Sequence, residues 1–244
     1  MWIFLLTLTL FVNGYYGENF GFCNFKNPNP NKCLLSSIQS AVKMLRPGMP
    51  QYGMKPLDPL HTDKLTFGSG NGPVQLTQYY DNITVTGLSD SILNKAHYDE
   101  ADDIVTILFS ATCPLATQIA HYHAKGQIST LPVFGDGEAI LKLVNLQLLL
   151  EFKCKKVQKS GKTHLKINSL FLNMVPEKVT MYFGNLFDGN KLLGDNINKV
   201  LNDEWQAMWT DVKSEVEKGY GKIFRDYAQV FFDKVPSDQI FIKN

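Results

Sequence analysis

The sequence predicts an α+β fold in which a long C-terminal helix is wrapped by a highly curved antiparallel β-sheet. Three observations carry this. From Leu60 to Gly184 apolar and polar residues alternate with period two, broken by glycine turns, in runs longer than the usual strand of five or six residues. From about Asn190 to Lys234 the period changes to three or four, through Leu193, Ile197, Leu201, Trp205, Trp209, Val212, Val216, Tyr220, Ile223, Tyr227 and Phe231. The stripe is rich in Trp, Tyr and Phe where a coiled-coil seam would repeat Leu and Ile, so it needs a broad concave partner, and a strongly twisted sheet is the one available in the chain.

The elements follow in order. Trp2 to Val12 is an uncharged apolar run followed by Asn13 and Gly14, which reads as a secretory signal with cleavage after Gly14 or Gly17. It is too short to cross a hydrocarbon layer of roughly 30 Å. Residues 1–17 are therefore read as the signal and 18–244 as a single domain of a secreted, extracellular protein with no transmembrane segment. In an exported chain Cys23 and Cys33, enclosing "NFKNPNPNK", are expected to form a disulfide that pins the mature N-terminus. "KCLLSSIQSAVKML" carries a helical stripe that Pro47 and Gly48 end. Pro50, Pro56 and Pro59 then stiffen the connector to the first strand, which is expected to cross one open end of the roll and to shape its mouth.

"NITVTGL", "DDIVTILFSA", "GEAILKLVNLQLLLEF", "THLKINSLFLNMV" and "KVTMYF" are read as successive antiparallel strands. If "LPVFGD" is the turn of a long hairpin centred near Phe134, Cys113 faces Cys154, Ile119 faces Leu148 and Leu115 faces Phe152. A second disulfide, Cys113 to Cys154, is then possible, while a bulge would leave both as buried thiols. Near Gly219 and Gly221 the long helix is expected to kink or to meet the sheet closely. Within "KVTMYF", Val179, Met181 and Phe183 share one face, and Met is a liner that adapts to shape.

A formal net charge of +1 offers no field for nucleic acid or an anionic membrane. Lys153, Lys155, Lys156 and Lys159 are read as a solvated hairpin tip. No G-x-S-x-G elbow and no H-E-x-x-H occurs, and "FGSGNG" neither opens a helix nor precedes a lysine, so esterase, metalloprotease and phosphate-loop chemistry find no motif. His121 and His123 stand two apart as strand ligands do, but no carboxylate or cysteine motif completes a site; no metal and no cofactor is expected, and a polar anchor for a ligand head group is the pair's alternative use. Asn82-Ile83-Thr84 is the glycosylation sequon of the mature chain.

The Cys23/Cys33 pair, "GMPQYGMKPLDPLHTDKL" from Gly48, "GPVQLTQYYDNITVTGLS" from Gly72, "NLFDGNKLLGDNINKVLNDEW" from Asn185 and "KVPSDQIF" near the end resemble the takeout and juvenile-hormone-binding protein family of insects, and its takeout branch more closely. The resemblance implies a super-roll like one half of the BPI-like (TULIP) lipid-binding proteins, with an internal apolar tunnel. It implies a monomeric, non-catalytic carrier of a hydrophobic small molecule (fatty acid, terpenoid or juvenile-hormone-like compound) in haemolymph or another extracellular fluid. Members are linked to hormone transport, feeding, rhythm and odour perception. The expected tunnel lining is Tyr122, Val179, Met181, Phe183, Trp205, Trp209, Val212 and Val216. Family parity turns Tyr122 inward and both histidines outward, whereas the hairpin centred near Phe134 turns the histidines onto the apolar face. The alternative functions are a secreted lipid esterase and a lipid-surface interaction module without a tunnel.

Overall fold

The structure, a computed structural model, describes residues 23–25, 28–67 and 74–242. The signal segment and residues 68–73 lie outside the described residues. In chain order the elements are β1 (Cys23–Asn24), α1 (Pro30–Met44), β2 (Leu60–Phe67), β3 (Val74–Thr86), β4 (Ile92–Ala101), β5 (Ile104–Ile128), β6 (Leu131–Lys159), β7 (Lys162–Val175), β8 (Lys178–Phe183), α2 (Lys191–Asp203), α3 (Trp205–Lys234), α4 (Ser237–Ile240) and β9 (Phe241–Ile242).

The hairpin of β5 and β6, strands of 25 and 29 residues, is the spine of a seven-stranded sheet. β3 and β4 divide the outer edge of β5 between them, and β7 and β8 divide the outer edge of β6. β2 extends the sheet beyond β3, and every pairing in this sheet is antiparallel. A short parallel pair, β1 with β9, ties the two ends of the described chain together, and the Cys23–Cys33 disulfide fixes β1 to α1.

The spine turns at Ser129 and Thr130, with Ile128 opposite Leu131, and not near Phe134. Cys113 therefore faces Leu146 and Cys154 faces Val105; Leu115 faces Val144 and Ile119 faces Ile140. The Cys113–Cys154 disulfide does not form: both are fully buried thiols. Burial pushes the Cys154 thiol up to about 12 and raises that of Cys113, so neither offers a thiolate at neutral pH. The glycines that suggested a turn are inside β6. A Cβ on Gly135 would stand 2.2 Å from the Tyr122 hydroxyl, so this position is bare to let that ring lie across the strand.

Halfway along, Asn145 in a left-handed conformation (φ 45) comes opposite Pro114, which has no N–H for the ladder. The buried positions are Val105, Ile107, Ala111 and Cys113 before this point in β5, and Ala116, Gln118, Ala120 and Tyr122 after it. β6 switches in step, from Val133, Ala139 and Leu143 to Leu146, Leu148, Leu150 and Phe152. Both strands reverse their inward face without losing register.

α2 and α3 form the rod. It breaks at Glu204 (φ −105, ψ 27), and α3 runs unbroken through the two glycines. The close-contact expectation holds at Gly219, where an added Cβ would meet Leu65 and Phe67 of β2 at 3.1 and 3.3 Å. On its other flank α3 meets β7: Glu217 accepts from the Met174 amide (2.7 Å), and Gln229 accepts from Ile167 N–H (2.8 Å) while donating to Leu165 C=O (3.1 Å). A helix touching both outer strands closes the seam of the curled sheet.

The proline connector does not rim the interior. Pro50 opens a 3₁₀ turn, Tyr52 packs on Phe231 with ring centroids 5.8 Å apart, and the Tyr227 hydroxyl donates to Lys55 C=O (2.8 Å), so the segment covers the far end of α3. The buried Asp58 carboxylate accepts from Gly87 N–H, Ser89 N–H and the Ser89 hydroxyl at 3.0, 3.1 and 2.7 Å, which fixes the turn between β3 and β4.

Candidate functional site

Between α3, the end of α2 and the inner face of the sheet lies an apolar hollow. Its volume is about 110 Å³. A space of this size takes a chain of several methylene-sized groups.

Tyr122, Val179, Met181, Phe183, Trp209, Val212 and Val216 all face it. Trp205 does not: it begins α3 directly after the break at Glu204 and packs half-buried against the core, and Ile197, Leu201 and Met208 take the lining positions on either side. Val179, Met181 and Phe183 point inward together because β8 is short and has no bulge. Tyr122 points inward because the strand reverses face at Pro114, which settles the parity conflict and turns His121 and His123 out to solvent.

Among the described residues no Ser, Cys, His, Lys, Arg, Asp or Glu lines the hollow. The polar side chains among them that do are three tyrosines, two glutamines and the Trp209 indole. The hydroxyl of Tyr80 donates to Gln78 Oε1 at 2.5 Å, that of Tyr122 to Gly184 C=O at 2.8 Å, and that of Tyr220 to Gln118 Oε1. Burial pushes all three phenols well above their ordinary range, so they remain neutral. Gln118 is 5 % exposed, and its Nε2 is the one buried side-chain N or O without a partner among the described residues. An unmet buried donor costs about 1–3 kcal/mol. The sequence reading missed Gln118 and Tyr220 as a pair; the signal was Gln118 standing four residues before Tyr122, on the same parity beyond Pro114.

Outside the roll the structure corrects a further expectation. Carboxylates do complete the histidine pair: Asp81 of β3 and Asp136 of β6 flank His121 and His123 of β5. Asn82, the sequon residue, is exposed in a left-handed conformation (φ 50) at the bulge between Asp81 and Thr84.

Comparison with known proteins gives consistent likenesses. The family model of the haemolymph juvenile hormone binding protein (JHBP) matches residues 4–242. The circadian clock-controlled protein daywake of Drosophila yakuba is 24% identical over 217 residues, covering 86% of this chain and 83% of its own. A protein of Schistocerca gregaria, named as a proposed beta-carotene binder, is 24% identical over 221 residues, 89% of this chain and 86% of its own. The crystal structure of Takeout 1 from Epiphyas postvittana superposes with a TM-score of 0.78 at 25% identity, covering 91% of this chain and 99% of that one.

Proposed function

The chain belongs to the haemolymph juvenile hormone binding protein family, and from that premise we propose that it is a secreted carrier that holds a neutral, largely apolar small molecule within the roll. The guest's class is a lipid, terpenoid or hormone-like compound, and the hollow serves as a tunnel lined by Tyr122, Met181, Phe183, Trp209 and their neighbours. Residues 1–17 are removed on export, residues 18–244 act as one monomeric domain, and Asn82 is available for glycosylation. No helix of the described residues is long and apolar enough to cross a membrane.

The observation that supports the reading is an apolar hollow whose wall, among the described residues, carries no charged side chain and no Ser, Cys or His. Burying about ten methylenes contributes roughly 8 kcal/mol gross, which corresponds to a dissociation constant near a micromolar. Burial alone therefore supports binding, and the wall offers acyl chemistry no activated nucleophile: among the described residues it has no Ser, Cys or His, and its tyrosines stay neutral.

Protein taken from a secretion medium is expected to carry a lipid adduct in native mass spectrometry, to lose it on organic extraction, and to take up one hydrophobic fluorescent probe per chain afterwards. An extracted protein that binds neither probe nor lipid would overturn the carrier reading. Turnover of a short-chain ester would favour the esterase, and co-sedimentation with liposomes by a chain with no adduct would favour the surface module.

Gln118 narrows the guest. Its free N–H2 lies on a wall with no cation among the described residues, so an oxygen acceptor on an uncharged group, a ketone or an ester, satisfies it, while a carboxylate would be buried unpaired. For a long-chain methyl ketone and the hydrocarbon of equal length, the affinity ratio is expected to move roughly tenfold against the ketone in Gln118→Met, the worth of one neutral hydrogen bond. The same shift is expected on the Tyr220→Phe background, where no hydroxyl is orphaned. An unchanged ratio in both backgrounds would remove Gln118 as the anchor and leave hydrocarbon binding intact.

A further inference from the structure

We propose that Asp81, His121 and His123 form a binding site for a divalent transition-metal cation on the outer face of the sheet, with Asp136 holding both imidazoles in position. The site is independent of the apolar hollow, on the opposite side of β5.

Three adjacent strands build it. His121 and His123 are two apart in β5 and project to the same outer face after the reversal at Pro114. Register places Asp81 of β3 opposite His121 and Asp136 of β6 opposite His123. The imidazoles lie edge to face, centroids 4.7 Å apart and planes at 70°.

Each ring divides its two nitrogens between the two carboxylates. His121 directs Nδ1 and His123 directs Nε2 toward the same oxygen, Asp81 Oδ2, at 3.8 and 3.6 Å. These ligand atoms all lie within 4.8 Å of one another. The opposite nitrogens, His121 Nε2 and His123 Nδ1, reach the two oxygens of Asp136 at 3.0 and 2.9 Å. Metal-bound histidines use this arrangement: the far N–H donates to a carboxylate, which fixes the tautomer and leaves the near nitrogen's lone pair for the ion. The remaining oxygen, Asp81 Oδ1, accepts from Asn82 Nδ2 at 3.0 Å, which holds Oδ2 toward the rings.

The distances suit a small ion. Ligand bonds of about 2.0–2.2 Å at tetrahedral angles set ligand atoms roughly 3.3 Å apart, so the two imidazole–Asp81 separations close by a few tenths of an ångström, and the two imidazole nitrogens, within 4.8 Å of each other, close by at most about 1.5 Å through side-chain rotation. With neutral imidazoles the two aspartates leave a charge near −2, and among the described residues no Lys or Arg forms an ion pair with either of them. Two nitrogens with one carboxylate favour zinc or a neighbouring first-row ion over calcium or magnesium, which prefer all-oxygen sets. About 40–50 % of each imidazole is exposed, which leaves room for water in the remaining position.

The test is zinc titration of the full protein, produced without a histidine tag, by calorimetry and by competition with a chromophoric chelator. One zinc ion per chain is expected, with magnesium failing to compete. His121→Ala/His123→Ala should abolish binding, and Asp136→Asn should weaken it roughly tenfold or more while leaving the stoichiometry at one. Histidine ring NMR signals should shift on zinc addition for His121 and His123 and not for His61 or His97. Uptake of a hydrophobic probe into the roll is expected to be unchanged in every variant, which shows that each is folded. No saturable zinc binding, or binding retained by the double variant, would overturn the proposal.

Discussion

Ala116→Phe is expected to empty the roll of its guest while leaving the protein folded. Ala116 is 4 % exposed, lines the hollow and faces Leu143 across the spine. A phenyl group placed on its Cβ brings six carbons into that hollow and displaces about as many carbons of a guest. At about 0.8 kcal/mol for each methylene kept out, the guest loses roughly 5 kcal/mol, a weakening between 10³ and 10⁴-fold. The cost to folding is small, because overpacking costs about 1–3 kcal/mol and burying a Phe side chain returns a similar amount. Titration with a fluorescent fatty-chain probe, beside a thermal melt, separates the two effects. Ile119→Phe, on the outer face at a position already 43 % exposed, is the control and should bind as the parent does. Unaltered affinity in a folded Ala116→Phe protein would place the guest elsewhere.

That prediction could not have been written from periodicity alone, and the reason lies in one residue pair. Alternation is a local signal: it reports which residues share a face, and it carries no record of a place where the face reverses. Pro114 opposite Asn145 is such a place. A parity continued through it from the buried Cys113 puts the histidines inside and hides Gln118, whereas β8, too short to contain a reversal, was legible as Val179, Met181 and Phe183. The turn of the spine was misplaced for a related reason. Glycine is needed both for turns and for close approach, and at Gly135 and Gly137 the second need operates, against Tyr122 and the backbone at Gly184. The helical rod was legible because its period persists across the break; the break itself, at a Glu with ordinary helix propensity, left no mark. The triad with Asp81 was illegible because its parts lie on separate strands and only register unites them.

Replacing both Asn198 and Asn202 by Ala should cost roughly 4 kcal/mol of stability and speed release of the guest. Among the described residues β8 is an edge strand: one side pairs with β6, and the other has no strand beside it. Two amides on α2, one turn apart, stand in for the missing strand. Asn198 accepts from Phe183 N–H (2.8 Å) and donates to Phe183 C=O (2.9 Å); Asn202 accepts from Met181 N–H (2.9 Å) and donates to Met181 C=O (2.6 Å). An edge covered in this way presents no free ladder to another chain. Each substitution strands one backbone donor and one acceptor that are only partly reachable by water, at about 1–3 kcal/mol per unmet group when burial is complete. Amide hydrogen exchange should accelerate at Met181 and Phe183 and hardly at all in β5. The same two residues carry their side chains into the hollow, so the strand that loosens is a wall of the site. Opening it should raise the dissociation rate of a bound probe by about the factor by which exchange accelerates there. A double variant that melts earlier yet releases its probe at the parent's rate would mean the guest leaves by another route, past the mouth and not through this edge.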